Sequence, residues 1–292
     1  MLTEFEGRTA VITGGASGMG LGTARRCVER GMNVALLDVE EDRLAGAVEL
    51  IGAGDRVLPV VTDVADAAQV QAAADATAER FGDVHLLFNN AGVSMTGRAW
   101  NMTVDDCTWM IGVNLTGVFN GIRSFVPGMM KHGDPAHVVS TASMAGIVPM
   151  SNAALYSATK AGVVALSESM LYEFRERDAN IGVSVLCPGL VNTDIYRSER
   201  NRPADLSETR TRPATEAVAD FYRTSGSDPL EVGERVLRAV EQGDFYILTQ
   251  DEGRIDIAAR GSVLDALGVP VPPRPEAIRP DHVPEGPFGF PI

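Results

Sequence analysis

The sequence predicts an α/β fold, a parallel sheet with helices on both faces, and three observations lead to it. From Thr9 to about Leu248, short β-branched and apolar runs alternate with longer helical stretches. The runs are apolar at consecutive positions, as expected of strands buried on both sides. A glycine-rich turn joins the first run to the first helix, the usual place for a ligand in such a sheet.

Strands are expected at Thr9–Thr13, Asn33–Asp38, Val57–Val61, Leu86–Asn89, His137–Ser140, Gly182–Leu186 and Phe245–Leu248. Among the helices between them are Met19–Arg30, Asp66–Phe81 and one near Pro229–Gln242. Asp66 stands where an N-cap belongs, and Gly82 closes that helix. Residues 1–267 are read as one domain, since a single α/β domain commonly runs to about 200–250 residues. Residues 194–228 are polar, rich in Arg, Glu, Ser and Thr, and too long for an ordinary connection. They form either a lid or a solvated surface insertion. Residues 268–292 make a Pro- and Gly-rich tail, whose apolar end, Phe288 to Ile292, needs a docking site to be ordered.

Bulk properties exclude several functions. Lys and Arg number 25 against 39 Asp and Glu, a net charge of −14, which opposes binding to nucleic acid or anionic membranes. No apolar run reaches the roughly 18 residues of a membrane span. The amino terminus is acidic and lacks the basic start of a secretory signal, so the expected location is the cytoplasm. Cys27, Cys107 and Cys187 are odd in number and widely spaced, which suggests neither a disulfide framework nor a metal site.

After the first strand comes Thr13-Gly14-Gly15-Ala16-Ser17-Gly18-Met19-Gly20. Such a turn brings backbone close to a pyrophosphate and points helix N–H groups at its charge, so Gly14, Ser17, Gly18, Met19 and Gly20 are candidate cofactor ligands. Asp38 ends the second strand, where a carboxylate accepts bonds from an adenosine ribose and repels a 2′-phosphate. No Arg or Lys follows directly; Val39, Glu40 and Glu41 do, so NAD is preferred over NADP. Asp63 and Val64 are placed to hold the adenine edge, and Asn90, Ala91 and Gly92 to crowd the ribose, with Asn89 tying strand ends together.

Tyr156-Ser157-Ala158-Thr159-Lys160 puts a phenol and an ammonium on one helix face, thirteen residues after Ser143, with Asn114 in the helical region before the fifth strand. With the glycine turn, the sequence resembles the short-chain dehydrogenase/reductase family, in its single-domain form, over about residues 5–250. The pieces that match are the glycine turn, Asn89-Asn90-Ala91-Gly92, Asn114, Ser143, Tyr156-Ser157-Ala158-Thr159-Lys160 and Pro188-Gly189-Leu190-Val191-Asn192-Thr193, with no departure among them. The resemblance implies a Rossmann-type, doubly wound parallel sheet of seven strands, an NAD(P) cofactor and a catalytic tetrad of Asn114, Ser143, Tyr156 and Lys160. It also implies that Asn114 distorts its helix and binds a relay water, and that Lys160 bonds the nicotinamide ribose. Pro188, Gly189, Val191 and Thr193 would border the nicotinamide, with Thr193 and the Val191 backbone on its carboxamide. Homodimers or homotetramers through the helices carrying Asn114 and Tyr156 are expected.

A free phenol titrates near pH ~10, so Tyr156 needs positive neighbours, Lys160 and the nicotinamide ring, to act as a base. Ser143 would orient the substrate oxygen as hydride passes to the nicotinamide. The substrate pocket is expected among Ser143, Ala145, Met150, Tyr156 and Leu190, with Met95, Trp100 and the 194–228 insertion around them. Met144, Ile147, Val148 and Met150 make it apolar, which suits a hydrophobic or aryl-bearing secondary alcohol or ketone, though such residues also serve as packing. Bacterial family members that oxidise benzylic alcohols, including lignin-derived aryl ethers, look similar. The weighed alternatives are epimerase, dehydratase or enoyl-reductase chemistry on the same fold, and a non-catalytic NAD-binding sensor.

Overall fold

The structure, a computed structural model, describes residues 1–207, 209 and 215–266. The predicted tail at 268–292 and part of the 194–228 insertion lie outside the described residues. Seven parallel strands form one sheet in the order β3-β2-β1-β4-β5-β6-β7. They are β1 Thr9–Thr13, β2 Asn33–Asp38, β3 Val57–Val61, β4 Leu86–Asn89, β5 Ala136–Thr141, β6 Ile181–Cys187 and β7 Tyr246–Leu248. The fifth and sixth strands are longer than their apolar runs, because Thr141 pairs with Leu186 and Ala136 with Ile181 at the ends of the ladder.

Alternate residues of the central strands feed two separate cores. Ala10 and Ile12 face α1 (Gly18–Glu29), α2 (Glu41–Ile51) and α9 (Pro229–Gln242). Val11, Ala35 and Leu37 face α3 (Ala67–Phe81), α5 (Gly117–His132) and α7 (Ala154–Glu176). Burial on both sides explains the unbroken apolar runs. The strand order reverses between β1 and β4, and their carboxyl ends open the crevice at which such sheets bind ligands.

Local chemistry sets the helix ends. Asp66 caps α3 by accepting from the N–H groups of Ala68 and Gln69, and Gly82 ends it, both as the sequence predicts. Thr103 and Asp106 form a reciprocal capping box on α4 (Val104–Ile111). Between α4 and α5 the chain makes a π-helical turn over Gly112–Thr116, with Asn114 at its centre. The insertion is not structureless: it holds a 3₁₀ segment, Asp194–Asn201, and α8 (Glu216–Ser225). Among the described residues, no helix is long and apolar enough to cross a membrane.

His137 lies fully buried in β5, its Nε2 at 2.8 Å from the Ser184 hydroxyl. Burial, helped by the positive amino terminus, pushes its pKa down from 6.5 to about 3, so the native ring is neutral. The unfolded chain binds this proton near pH 6.5 and the native chain does not, so stability falls as pH drops below about 6.5, and the loss saturates below about 3. The expected contribution is about 1.4 kcal/mol per pH unit within that window. Denaturant unfolding of wild type and His137→Asn at pH 6 and pH 4.5 tests this: the variant should show the shallower pH dependence, and equal slopes would refute the assignment.

Candidate active site

The glycine turn is built for a ligand that comes close to backbone. Gly14 and Gly18 have positive φ, 64° and 51°. A Cβ on Gly14 would lie 2.9 Å from the Ala91 Cα, one on Gly18 2.9 Å from the Thr193 Cγ2, and one on Gly20 2.1 Å from the Gly14 carbonyl oxygen. The turn thus touches both the Asn90-Ala91-Gly92 segment and the Pro188–Thr193 segment. Ser17 occupies the N-cap of α1 and its hydroxyl makes no capping bond. Met19 is half-buried and packs on the core below. The turn carries no side chain at Gly14, Gly15, Gly18 and Gly20 and leads into the N-terminus of α1, so its residues fit a pyrophosphate.

Asp38 is 9% exposed, and its Oδ2 accepts from the Ala16 N–H at 3.0 Å, its Oδ1 from the Glu40 N–H at 3.1 Å. Burial raises its pKa against those two bonds. The carboxylate therefore also fixes the glycine turn to the end of β2, a second task that sequence spacing does not reveal. Val39 beside it is exposed. Asp63 spends its Oδ1 on the Ala65 N–H at 2.9 Å, and Val64 is buried, with its carbonyl accepting from the Asn120 amide at 2.8 Å.

Asn89 does not tie the strand ends together, contrary to expectation. Its amide is buried without a hydrogen bond, packed against the backbone of Gly121. Asn90 takes that role, donating to the carbonyls of Thr13 at 3.0 Å and Gly14 at 3.3 Å. Thr13, which sequence reasoning passed over as an ordinary strand residue, completes the joint: its Oγ1 accepts from the N–H groups of Asn90 at 2.9 Å and Ala91 at 3.0 Å.

The four residues of the expected tetrad come together beside Gly92. A Cβ there would lie 3.3 Å from both Asn114 Oδ1 and Lys160 Nζ, a tight fit against the pair. Asn114 is fully buried; its Oδ1 accepts from the Val93 N–H at 2.8 Å, and its amide donates to the Val93 carbonyl at 2.9 Å and to Thr159 Oγ1 at 3.2 Å. It therefore bolts the loop after β4 to α7, one residue before Lys160. The π turn around Asn114 supplies the helix distortion that the resemblance implies.

Lys160 is 2% exposed and its Nζ donates to the Thr141 carbonyl at 2.8 Å, 5.8 Å from the Tyr156 ring centre. Burial lowers its pKa to about 8, so the ammonium form still predominates at neutral pH. Gly146, unmarked in the sequence reading, lets the short helix α6 (Met144–Ile147) lie against the Lys160 carbonyl. Burial raises the Tyr156 phenol, and a hydrogen bond with Ser143 opposes that. The expected lowering of the phenol is thus not produced by these side chains alone. Ser143 is buried, and its Oγ also accepts from the Ala145 N–H at 3.1 Å.

On the substrate side, Trp100 is 76% exposed, with the Arg98 guanidinium over its ring. Trp109 packs with Val93, Met95 and Met110 in the cluster that includes Leu155, Tyr156 and Leu206. Ala145 and Val148 are buried, while Met144 and Ile147 pack against Val163 and Val185, so this stretch is largely packing. Met150 is half-buried beside Ser157. Leu190 is half-buried, its carbonyl held by Gln250 at 2.7 Å and by the Ser227 N–H at 3.0 Å. The Gly189 N–H is held by Thr249 at 3.0 Å, and the Pro188 carbonyl accepts from the Met144 N–H at 3.0 Å, while Val191 is buried.

The insertion crosses the crevice. On the β2 side Asp194 accepts from Arg43 at 3.0 Å and Arg200 donates to Glu40 at 2.8 Å. On the β4 side the Ser94 N–H donates to Ser198 at 2.9 Å, Arg202 pairs with the buried Asp106 at 3.0 Å and Ser207 bonds Asp105 at 2.6 Å. The Tyr196 and Tyr222 rings lie 5.1 Å apart, tilted by 44°; burial raises the Tyr222 phenol, and the nearby Tyr156 adds to that. None of these contacts has a sequence signal, because the partners stand up to 160 residues apart.

The sequence model of the short chain dehydrogenases matches residues 8–204. A "C alpha-dehydrogenase" of Sphingobium sp. SYK-6 is 33% identical over 95% of this chain and 92% of its own length. A "CLA biosynthesis dehydrogenase/reductase" of Lactiplantibacillus plantarum is 32% identical over 86% of this chain and 91% of its own. The crystal structure of a short chain dehydrogenase/reductase from Burkholderia phymatum in complex with NAD superposes with a TM-score of 0.88, at 38% identity, over 93% of this chain and 99% of that one.

Thr13→Val keeps the shape of β1 but leaves two N–H groups without their acceptor, an expected stability loss of about 1–3 kcal/mol with weaker dinucleotide binding. Thr13→Ser should restore both. Denaturant midpoints and NADH fluorescence titrations measure this, and a Val variant that matches wild type in both would show the joint to be dispensable.

Proposed function

The chain belongs to the short-chain dehydrogenase family, and from that membership we propose that it is an NAD-dependent dehydrogenase moving hydride between a secondary alcohol, or its ketone, and nicotinamide. The observation that carries this reading is the convergence of Lys160 Nζ and Asn114 Oδ1 on Gly92, with Tyr156 hydrogen-bonded to Ser143. That is a proton-transfer site beside a backbone cradle.

Tyr156 is the general base in oxidation and the general acid in reduction, acting on the substrate oxygen. Ser143 hydrogen-bonds the same oxygen and stabilises the charge that develops on it. Lys160, held by the Thr141 carbonyl, presents an ammonium that favours the phenolate form of Tyr156. Asn114 keeps the loop after β4 and the helix of Lys160 in register. Bound NAD supplies the hydride acceptor and a further positive charge. The glycine turn with Ser17 would hold its pyrophosphate, Asp38 its adenosine ribose, and Thr193 with the Val191 backbone its carboxamide. Asp38 and the absence of a basic residue directly after it support NAD over NADP.

An apolar substrate, aryl-bearing included, is supported by the cluster of Met95, Trp109 and Leu206 around Tyr156 and by the Tyr196–Tyr222 pair. The Sphingobium relative is likewise named a dehydrogenase. Exposed Phe119 and Tyr172, on α5 and α7, support assembly into a homodimer or homotetramer through those helices, and the location proposed is the cytoplasm.

Turnover monitored by NADH absorbance on a panel of secondary alcohols, aryl-substituted ones included, tests the activity, and silence across the panel with intact NAD binding would refute it. Tyr156→Phe should keep NAD binding and lower kcat at least about 10³-fold. Lys160→Ala should impair both turnover and cofactor affinity. Near-normal kcat in the Phe variant would remove Tyr156 from the chemistry.

A further inference from the structure

Beside Asp38, the fold brings together two cations, Arg43 from the first turn of α2 and Arg200 from the distant insertion. Arg200, from the insertion, donates to Glu40 through Nε at 3.1 and 3.2 Å and through Nη2 at 2.8 Å. Arg43, in the first turn of α2, reaches Oε2 of the same carboxylate at 3.1 Å, and Asn201 donates to its Oε1 at 3.0 Å. Burial raises the Glu40 carboxyl, but the bonds from Arg200 and Asn201 and the charges of both guanidiniums outweigh it, so the group stays ionised well into acid. Glu40 in turn touches the ribose-reading carboxylate, since its N–H bonds Asp38 Oδ1.

We propose that Glu40 is a specificity-determining residue for the dinucleotide, because it occupies Arg43 and Arg200, two guanidiniums that would otherwise bind a 2′-phosphate at the corner read by Asp38. The inference rests on the reading of Asp38 as the ribose ligand. A 2′-phosphate is dianionic, and guanidinium is the side chain best suited to bind it in a fork. At this corner it meets Asp38 and Glu40 as like charges, while both cations are already paired. A change of Glu40 to an amide removes a repelling charge and loosens the hold on Arg43 Nε and on Arg200 Nε and Nη2, while Arg43 Nη1 stays on Asp194 and Arg200 Nη1 on the Asp194 and Arg197 carbonyls. The specificity then lies in how an ion cluster is paired, since the cations suited to NADP are present.

The test measures binding, by calorimetry with 2′,5′-ADP and 5′-ADP and by fluorescence titration with NADPH and NADH. Wild type should bind NADH more tightly than NADPH. Glu40→Gln should tighten 2′,5′-ADP and NADPH by about tenfold, the loss of one charge-assisted competitor, without a like gain for 5′-ADP. Glu40→Ser should give the same direction, which keeps the test open if one variant folds poorly. Adding Arg43→Ala and Arg200→Ala to Glu40→Gln should abolish the gain. No gain in either Glu40 variant while wild type prefers NADH, or a gain that survives loss of both arginines, would overturn the role of Glu40 alone. Wild type preferring NADPH would overturn the NAD reading itself, and the proposal with it.

Discussion

The architecture of the site depends on a buried ammonium. Lys160 sits in the interior with 2% exposure, where a cation is costly unless it is met by acceptors. The Thr141 carbonyl, at the end of β5, meets it at 2.8 Å, and the lysine can approach because Gly92 and Gly146 present backbone where side chains would crowd it. The remaining pieces are arranged around this contact. The Asn114 amide fixes the loop carrying Gly92, α7 carries Tyr156 one turn before the lysine, and Ser143 follows β5 directly. A sheet whose strands all end on one edge brings β1, β4, β5 and β6 to that point together.

The electrostatics divide the work between the chain and its cofactor. Burial alone moves the Tyr156 phenol away from reactivity, while the Ser143 hydrogen bond moves it back. Lys160, itself lowered to about 8 by burial, is a weakened cation at the upper end of the neutral range. The acid–base residues are therefore preorganised in space, and their readiness depends on what occupies the cradle beside them.

Much of this was legible because its signals are local. The first four strands follow their apolar runs to the residue; β1, β2 and β4 are buried on both faces, whereas β3, at the sheet edge, is apolar yet partly exposed, with Val61 51% accessible, against the expectation of burial on both sides. The tetrad could be named from spacing because Tyr156 and Lys160 share a helix turn and Ser143 ends a strand. What escaped was long-range. Thr13 looks like any β-branched strand residue, yet its hydroxyl joins β1 to the segment after β4. Trp100 and Trp109 stand nine residues apart, and the first sits in a 3₁₀ turn before α4 and is exposed while the second lies on the inner side of α4 and is buried. Asp38 was identified by position, but its bond to the glycine turn was not, because a hydrogen bond across 22 residues leaves no trace in the sequence.

The strap over the crevice, Asp194–Asn201, has unequal anchors. On the β4 side, Arg202 and Asp106 are 9% and 0% exposed, shielded from mobile ions. On the β2 side, Arg200 and Glu40 are 29% and 20% exposed, within reach of dissolved electrolyte. A rise in ionic strength therefore screens the β2-side pair more than the β4-side pair, so the two ends of the strap respond unequally to dissolved salt.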